Sequence, residues 1–115
     1  MIDKEYLIRS ICDIVPVSTM HGNGEKRVLI ANNETSTLIT QVAVTELKKG
    51  ENVEEHSHPT MEEYFIFLNG ECTAVIDGNE EFCKEGTFLK VPAKTIHSLQ
   101  PSTDIRMITI GIATE

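Results

Sequence analysis

The sequence predicts an all-β sandwich or barrel preceded by one short helix. Apolar and β-branched runs recur along residues 27–112, and turn-forming residues separate them. Turn signals spaced by about 8–12 residues are typical of such folds. Helical spacing of apolar residues occurs only near the start of the chain. The chain has 115 residues, 40% of them hydrophobic and 24% charged, which is the composition of one folded domain rather than of a disordered chain.

The N-terminal 26 residues are predicted to form a short amphipathic helix followed by a loop. Apolar residues recur at helical spacing from Leu7 to Val15, Asp3 can cap the helix N-terminus and Pro16 ends it. Glycine and asparagine in residues 18–26 predict the loop. Residues 27–115 then form the β-barrel, and the whole chain, residues 1–115, is a single domain.

Nine strands are predicted in the barrel. They cover residues 27–31, 37–47, 53–58, 63–68, 71–77, 81–84, 87–91, 95–99 and 105–112. The dipeptides Asn69-Gly70 and Gly78-Asn79 are predicted to form tight hairpin turns, because glycine and asparagine readily adopt the positive φ that such turns require.

Residues 64–68 are apolar on both faces of their predicted strand. The outer face of such a strand needs a cover. The sequence offers two covers, the N-terminal helix or a second copy of the protein. Because an exposed patch of this size is unusual on a monomer, we predict a homodimer.

Charge and hydropathy exclude several classes of partner. Eighteen acidic against ten basic residues give a net charge of −8, so nucleic acid and anionic membrane surfaces are not expected partners. The apolar runs are far shorter than the about 20 residues that a transmembrane helix needs. The N-terminus lacks the pattern of a secretory signal. We therefore predict a cytoplasmic protein whose three cysteines, Cys12, Cys72 and Cys83, are reduced and buried.

Three histidines and one glutamate form the candidate metal site. His56 and His58 are two residues apart on one predicted strand, so both rings point to the same face, with Cα atoms about 6.6 Å apart. Glu63 follows a turn at the start of the next strand. His97 lies in a distant strand and reaches the others only if the sheet closes on itself. Such a nitrogen and oxygen set suits divalent Fe, Mn, Co, Ni, Cu or Zn better than calcium or magnesium.

A His-x-His pair by itself also occurs on ordinary protein surfaces, but the residues around this pair resemble the first motif of the cupins. That motif is Gly, five residues, His-x-His, three or four residues, Glu, six residues, Gly, and here Gly50, His56, His58, Glu63 and Gly70 match every fixed position.

The second cupin motif is matched in part. It reads Gly, five residues, Pro-x-Gly, two residues, His, three residues, Asn, and here Gly86, Pro92 and His97 match. Lys94 replaces the glycine and Pro101 replaces the asparagine. Neither of these positions binds metal in cupins, so the turn before His97 is the part expected to differ.

The resemblance covers about residues 38–112 and implies a double-stranded β-helix, the jelly-roll or cupin barrel. It also implies that His56, His58, Glu63 and His97 bind one divalent transition metal. Small cupins include dioxygenases, isomerases, epimerases and decarboxylases, so a metal-dependent enzyme acting on a small molecule is expected. A non-catalytic module that binds or senses a small ligand or sugar is the alternative, and a structural barrel without metal function is a third. The sequence identifies neither the metal, nor the substrate, nor a catalytic acid or base.

Other residues have two interpretations each. His21 lies in the predicted loop and is either a residue at the barrel mouth that acts on substrate or a solvated histidine. Five apolar side chains belong either to the core or to a pocket lining: Met61, Phe65, Phe67, Val91 and Leu99.

Overall fold

The computed structural model describes residues 5–115, which form two antiparallel β-sheets packed against each other. The strands are β1 (Val17–Ser18), β2 (Glu25–Ala31), β3 (Ile39–Leu47), β4 (Val53–His56), β5 (Met61–Asn69), β6 (Glu71–Ile76), β7 (Asn79–Lys84), β8 (Phe88–Val91), β9 (His97–Pro101) and β10 (Ile105–Ala113). Two short 3-10 turns cover Ile11–Asp13 and Asn32–Glu34.

The strand order is that of a jelly roll. The six-stranded sheet has the order β1-β2-β3-β10-β5-β8, and the four-stranded sheet has the order β4-β9-β6-β7. Strands distant in sequence are therefore neighbours in space, as β3 and β10 are. This confirms the predicted double-stranded β-helix. Because the two sheets pack face to face, the start of β5 in one sheet and the start of β9 in the other lie at the same interior space.

The hydrophobic core lies between the two sheets. Phe65, Phe67 and Met107 contribute from the six-stranded sheet, and Cys72 and Ala74 contribute from the four-stranded sheet. These side chains alternate along their strands with outward-facing neighbours, as the period of two in a β-strand requires. Several core side chains, among them Phe65, Leu99 and Met107, also line the cavity described below.

The predicted N-terminal helix is wrong. Among residues 5–16 the structure contains only the 3-10 turn Ile11–Asp13, which has no buried residue, and Asp3 lies outside the described residues. An isolated short helix is marginal unless one face packs on the protein, and here Tyr6 and Ile8 are exposed. Arg9 holds the segment instead, because its guanidinium donates to the Leu29 carbonyl at 2.7 Å.

The predicted loop over residues 18–26 is shorter than expected. Val17 and Ser18 pair with Lys26 and Glu25, so the ends of this segment are strands and the loop covers residues 19–24. This difference changes the environment of Lys26, which becomes a residue of β2.

Only one of the two predicted hairpins is present. The hairpin predicted at Gly78-Asn79 is present with its turn one residue earlier: Asp77 and Gly78 connect the paired strands β6 and β7, with φ values of +51° and +84°, and Asn79 begins β7. At Asn69-Gly70, by contrast, the chain leaves one sheet and enters the other, because β5 and β6 belong to different sheets. Gly70 is required at this corner. Its φ is +84°, and a Cβ there would lie 2.2 Å from the Asp104 carbonyl oxygen.

The cysteines agree with the prediction at two positions of three. Cys72 and Cys83 are buried register partners with free thiols, and burial raises the pKa of the Cys72 thiol to about 11. Cys12 is exposed, because the segment that carries it does not pack as a helix.

In the part of the chain that the structure describes, no helix has the length and apolar character needed to cross a membrane.

Candidate metal centre

Two of the predicted histidines lie side by side on adjacent strands of the four-stranded sheet. His56 ends β4, His97 begins β9, and the two are register partners, so both rings point to the same side. Their ring centroids are 4.2 Å apart. Each Nδ1 lies 2.9 Å from the carbonyl oxygen two residues earlier, that of Glu54 or Thr95. A carbonyl only accepts, so each Nδ1 carries hydrogen and each Nε2 is the nitrogen available to a ligand.

His58 comes from the connection between β4 and β5. The strand was predicted to reach His58, but it ends at His56 because Pro59 cannot donate to a ladder. The His58 carbonyl instead accepts a hydrogen bond of 2.7 Å from the Lys94 amide. Its ring centroid is 4.9 Å from that of His56 and 5.7 Å from that of His97. The turn before His97 therefore fixes the backbone that carries His58.

That turn keeps a left-handed residue even though lysine replaces glycine. Lys94 has a φ of +66°, a region that costs an L residue about 1–2 kcal/mol. Lys94→Gly should raise the free energy of unfolding by about 0.5–1 kcal/mol, because the relieved strain exceeds the entropy that glycine adds to the unfolded chain. Urea unfolding measures this change.

The matched control for that variant is Lys90→Gly, at an exposed strand position. Lys90→Gly should lower stability, because glycine weakens a strand and relieves no strain there. Equal destabilisation by both substitutions would show that the Lys94 backbone is not strained.

Glu63 supplies the carboxylate from the opposite sheet. It lies on β5, between Gly111 of β10 and Val91 of β8. Its Oε1 is 3.1 Å from His97 Nε2, with which it forms a hydrogen bond, and 3.1 Å from His58 Nε2. The structure thus brings together all four residues that the sequence singled out, two from one sheet, one from the other and one from a connection.

The carboxylate and His97 form a charge pair. Burial opposes the charged form of Glu63, but the hydrogen bond with His97 and the neighbouring imidazoles outweigh it and lower the pKa of Glu63. Burial also opposes a charged His97, yet the hydrogen bonds with Glu63 and the Thr95 carbonyl raise its pKa. Burial lowers the pKa of His56, despite the hydrogen bond with Glu54. Both shifts favour the charged forms of Glu63 and His97 relative to the free side chains.

The cluster fits a transition-metal ion. One ligand atom from each of the four residues lies within 4.8 Å of the others. His58 Nε2 is buried and forms no hydrogen bond within residues 5–115, although Glu63 is close. A buried polar atom without a partner is costly, and a bound cation would satisfy it. The carbonyl hydrogen bonds at Nδ1 of His56 and His97 are of the type that orients metal-binding imidazoles.

His21 lies at the mouth of the barrel, which is one of its two predicted positions. Its ring centroid is 4.5 Å from that of His56, and burial, followed by the charge on His56, lowers its pKa. It lines the same cavity as the other histidines. It is not among the four residues whose ligand atoms converge. Its action on a substrate stays a prediction.

A cavity of about 310 Å³ adjoins the cluster. Of the five apolar candidates, Met61, Phe65 and Leu99 line this cavity, whereas Phe67 and Val91 are core residues outside its lining. A volume of this size suits a small organic molecule.

The cavity wall also contains polar residues that the sequence analysis did not single out. They lie on β2, β3 and β10: Lys26, Gln41, Thr45 and Thr109. The signal for two of them was present in the alternation of β3, where Gln41 and Thr45 share a face opposite to Val42 and Val44. Because the apolar face of an amphipathic strand usually points inward, sequence reasoning gave no reason to place the polar face inside.

Comparison with known proteins agrees with this fold. The Cupin_2 family model, which describes a cupin domain, matches residues 43–111. A predicted oxalate decarboxylase from Thermotoga maritima superimposes with a TM-score of 0.85 at 22% identity, covering 93% of this chain and 99% of that one. An RmlC-like cupin from Shewanella frigidimarina superimposes with a TM-score of 0.79 at 15% identity, covering 99% and 96%. At these identities the likeness establishes the fold alone.

One curated relative is more similar in sequence. Quercetin 2,3-dioxygenase of Bacillus subtilis is 33% identical over an alignment of 92 positions, gaps included, and the match covers 73% of this chain and 27% of that enzyme. The chain therefore spans about a quarter of the length of this relative.

Proposed function

This chain belongs to the cupin domain family, and from that premise we propose that it is a divalent-metal-dependent enzyme acting on a small molecule. The observation that carries the proposal is the convergence of His56, His58, Glu63 and His97 beside a cavity large enough for a small ligand. The identity of the metal stays open among Fe, Mn, Co, Ni, Cu and Zn, which three imidazoles and one carboxylate suit.

Each residue of the cluster would have a defined part in holding the ion. The Nε2 atoms of the three histidines and the Glu63 carboxylate would be the ligands. Hydrogen bonds from Nδ1 to backbone carbonyls keep the rings of His56 and His97 in place. Four protein ligands leave open positions on an octahedral ion, where the bound metal would polarise a substrate oxygen or bind dioxygen.

Among the enzyme types, a dioxygenase is the first candidate, with isomerase and lyase types behind it. The similarity to quercetin 2,3-dioxygenase supports this order. The substrate of that enzyme is not carried over, because only 27% of its length is matched. His21 is the group at the cavity mouth that is free to contact a substrate, since it is outside the four-residue cluster.

Chelation and reconstitution test the metal function. Saturating metal, at 100 times the dissociation constant, should stabilise the protein by about 2.7 kcal/mol, or raise the melting temperature by roughly 10 °C for a domain of this size. Thermal melts of chelator-treated protein with each metal in turn measure the shift. A melting temperature that no metal changes would contradict the proposal.

Turnover decides between enzyme and binding module. Oxygen consumption and product formation are measured with the reconstituted protein and a panel of 1,2-diones, thiols, phenols and sugar phosphates. Metal binding together with ligand-induced stabilisation but without turnover would favour the non-catalytic sensing or binding module.

We also propose that the protein is a homodimer, formed through the outer face of the six-stranded sheet. Ile66 pairs in register with Ile108 on one side and Phe88 on the other. Ile66 and Ile108 are half-buried, whereas Val44, the partner of Ile108 on β3, is already buried in the single chain and is not part of this surface. Phe88 is 60% exposed. The N-terminal helix, the other predicted cover, is absent from residues 5–16, so an apolar strip remains for a second copy to bury.

Light scattering coupled to size exclusion should give twice the mass of one chain. Ile66→Lys should shift the mass to that of one chain, because it places an ammonium in the buried strip. Thr73→Lys, on the outer face of the four-stranded sheet, is the control and should leave the dimer intact. A wild-type protein with the mass of a single chain would refute the dimer.

We propose a cytoplasmic location, supported by the free thiols of Cys72 and Cys83. The net charge of −8 argues against nucleic acid and anionic membranes as partners.

A further inference from the structure

Lys26 places an ammonium in the wall of the cavity beside the histidine cluster. We infer that Lys26 anchors the anionic group of the small-molecule ligand, so that the ligand is a carboxylate. The inference rests on the proposed function, because the ligand is the molecule that the cavity would hold next to the metal centre.

The register of β2 turns Lys26 inward. Lys26 pairs with Thr45 of β3, which pairs in turn with Met107 of β10. Side chains in register across a sheet share one face, and Thr45 and Met107 are buried and line the cavity. The Lys26 ammonium donates to Gln41 Oε1 at 3.0 Å, and Gln41 lines the cavity as well.

No carboxylate neutralises this ammonium within residues 5–115, where Lys26 takes part in no ion pair. The next residue shows the contrast, because Arg27 points to the opposite face and pairs with Glu46 at 2.6 Å. Acidic residues are not scarce in a chain that has eighteen of them. Lys26 is half-buried and its hydrogen-bond partner Gln41 is neutral, so an anionic ligand would supply the charge partner that this ammonium lacks within residues 5–115.

The surroundings of Lys26 define the rest of the ligand. The hydroxyls of Thr45 and Thr109 lie 2.9 Å apart, both are buried, and both line the cavity. Thr109 also donates to the Ala43 carbonyl at 3.4 Å, so its hydroxyl accepts from Thr45, and the two hydroxyl oxygens can accept from a hydroxyl of the ligand. Phe65 and Leu99 provide apolar surface. The cavity therefore suits a molecule of small size with one charged end and an apolar body.

Binding of matched acids and amides tests this assignment. Acetate, pyruvate, benzoate and salicylate, each beside its amide, and inorganic phosphate as the competing anion are titrated by calorimetry into metal-free and zinc-loaded protein. At least one acid should bind about tenfold or more tightly than its amide. In Lys26→Met that preference should fall by about tenfold, and Lys26→Arg should keep it within about threefold. Lys90→Met, at an exposed lysine outside the cavity lining, is the control and should bind as the wild type does.

Several results would overturn the inference. They are equal binding of the acids by wild type and Lys26→Met, equal binding of acid and amide, no binding of any acid, and binding of inorganic phosphate in place of the acids. Retained melting temperatures of Lys26→Met and Lys26→Arg show that a change in binding does not come from unfolding.

Zinc titrations separate this inference from the proposed function. Zinc affinity should be the same in wild type and Lys26→Met, because Lys26 is outside the four-residue cluster. A wild-type protein that binds no zinc or other divalent metal overturns the metal function, while the titrations of metal-free protein still report on Lys26. Normal metal binding together with a carboxylate preference that does not depend on Lys26 overturns only the anchor.

Discussion

Replacing His97 with alanine removes most of the affinity for a divalent metal, whereas replacing His21 with alanine leaves it nearly unchanged. His97 is 2% exposed and its Nε2 is 3.1 Å from the Glu63 carboxylate, so the variant loses one ligand and the partner that orients another. Loss of an orienting partner alone costs about 10–100-fold in metal affinity, and loss of a ligand should cost at least as much. Calorimetric titration with zinc or manganese measures the affinity.

The His21 variant is a stringent control because His21 is also close to the cluster. Its ring centroid is 4.5 Å from that of His56, yet it is not one of the four converging residues. His97→Gln, which preserves volume and polarity, guards against loss of folding in the alanine variant. If His21→Ala lowered metal affinity as much as His97→Ala, the four-residue assignment would be wrong.

The second large effect is loss of metal on acidification. Histidine binds metal only as the neutral ring, so bound metal should dissociate as the pH falls below roughly 6. His97 is expected to take up a proton before His56, because its pKa is raised overall, whereas burial lowers the pKa of His56. Dialysis across a pH series, followed by elemental analysis, measures the retained metal. Full retention at about pH 4.5 would contradict binding through these imidazoles.

The metal-free protein should respond to pH in the opposite direction. The raised pKa of His97 contributes stability that is present below the unfolded-state pKa of histidine and is lost as pH rises through the folded-state pKa. The lowered pKa of Glu63 contributes stability that is lost only as pH falls through its folded-state value. The Glu63–His97 pair thus stabilises the apo protein between these limits. Melting curves with and without metal should therefore converge as the pH falls.

The sequence predicted three of the four ligand candidates because their spacing is local, whereas His97 came from the second motif, far along the chain. Gly50, His56, His58, Glu63 and Gly70 lie within one stretch of 21 residues, and strand alternation with turn residues limits how such a stretch can fold. The all-β class followed from the same local patterns, and the family match over residues 43–111 agrees with the resemblance.

Local sequence patterns did not predict the structure correctly where packing between distant segments determines the conformation. The apolar spacing before Pro16 permits a helix, but the protein does not bury the whole apolar stripe, because Leu7 and Val15 are 45% and 79% exposed. Asn69-Gly70 has the composition of a hairpin, but β5 pairs with β10 and β8, so the turn becomes a corner between sheets.

By itself, then, the sequence determined which residues offer nitrogen and oxygen ligands and that three of the four, His56, Glu63 and His97, lie on strands. The tertiary structure decided that His97 meets His56 by register in one sheet while Glu63 approaches from the other. It also decided that Lys26 points inward. The physical reason is that strand pairing is non-local: a change of register by one residue turns a side chain to the opposite face, and only the packed pair of sheets selects that register.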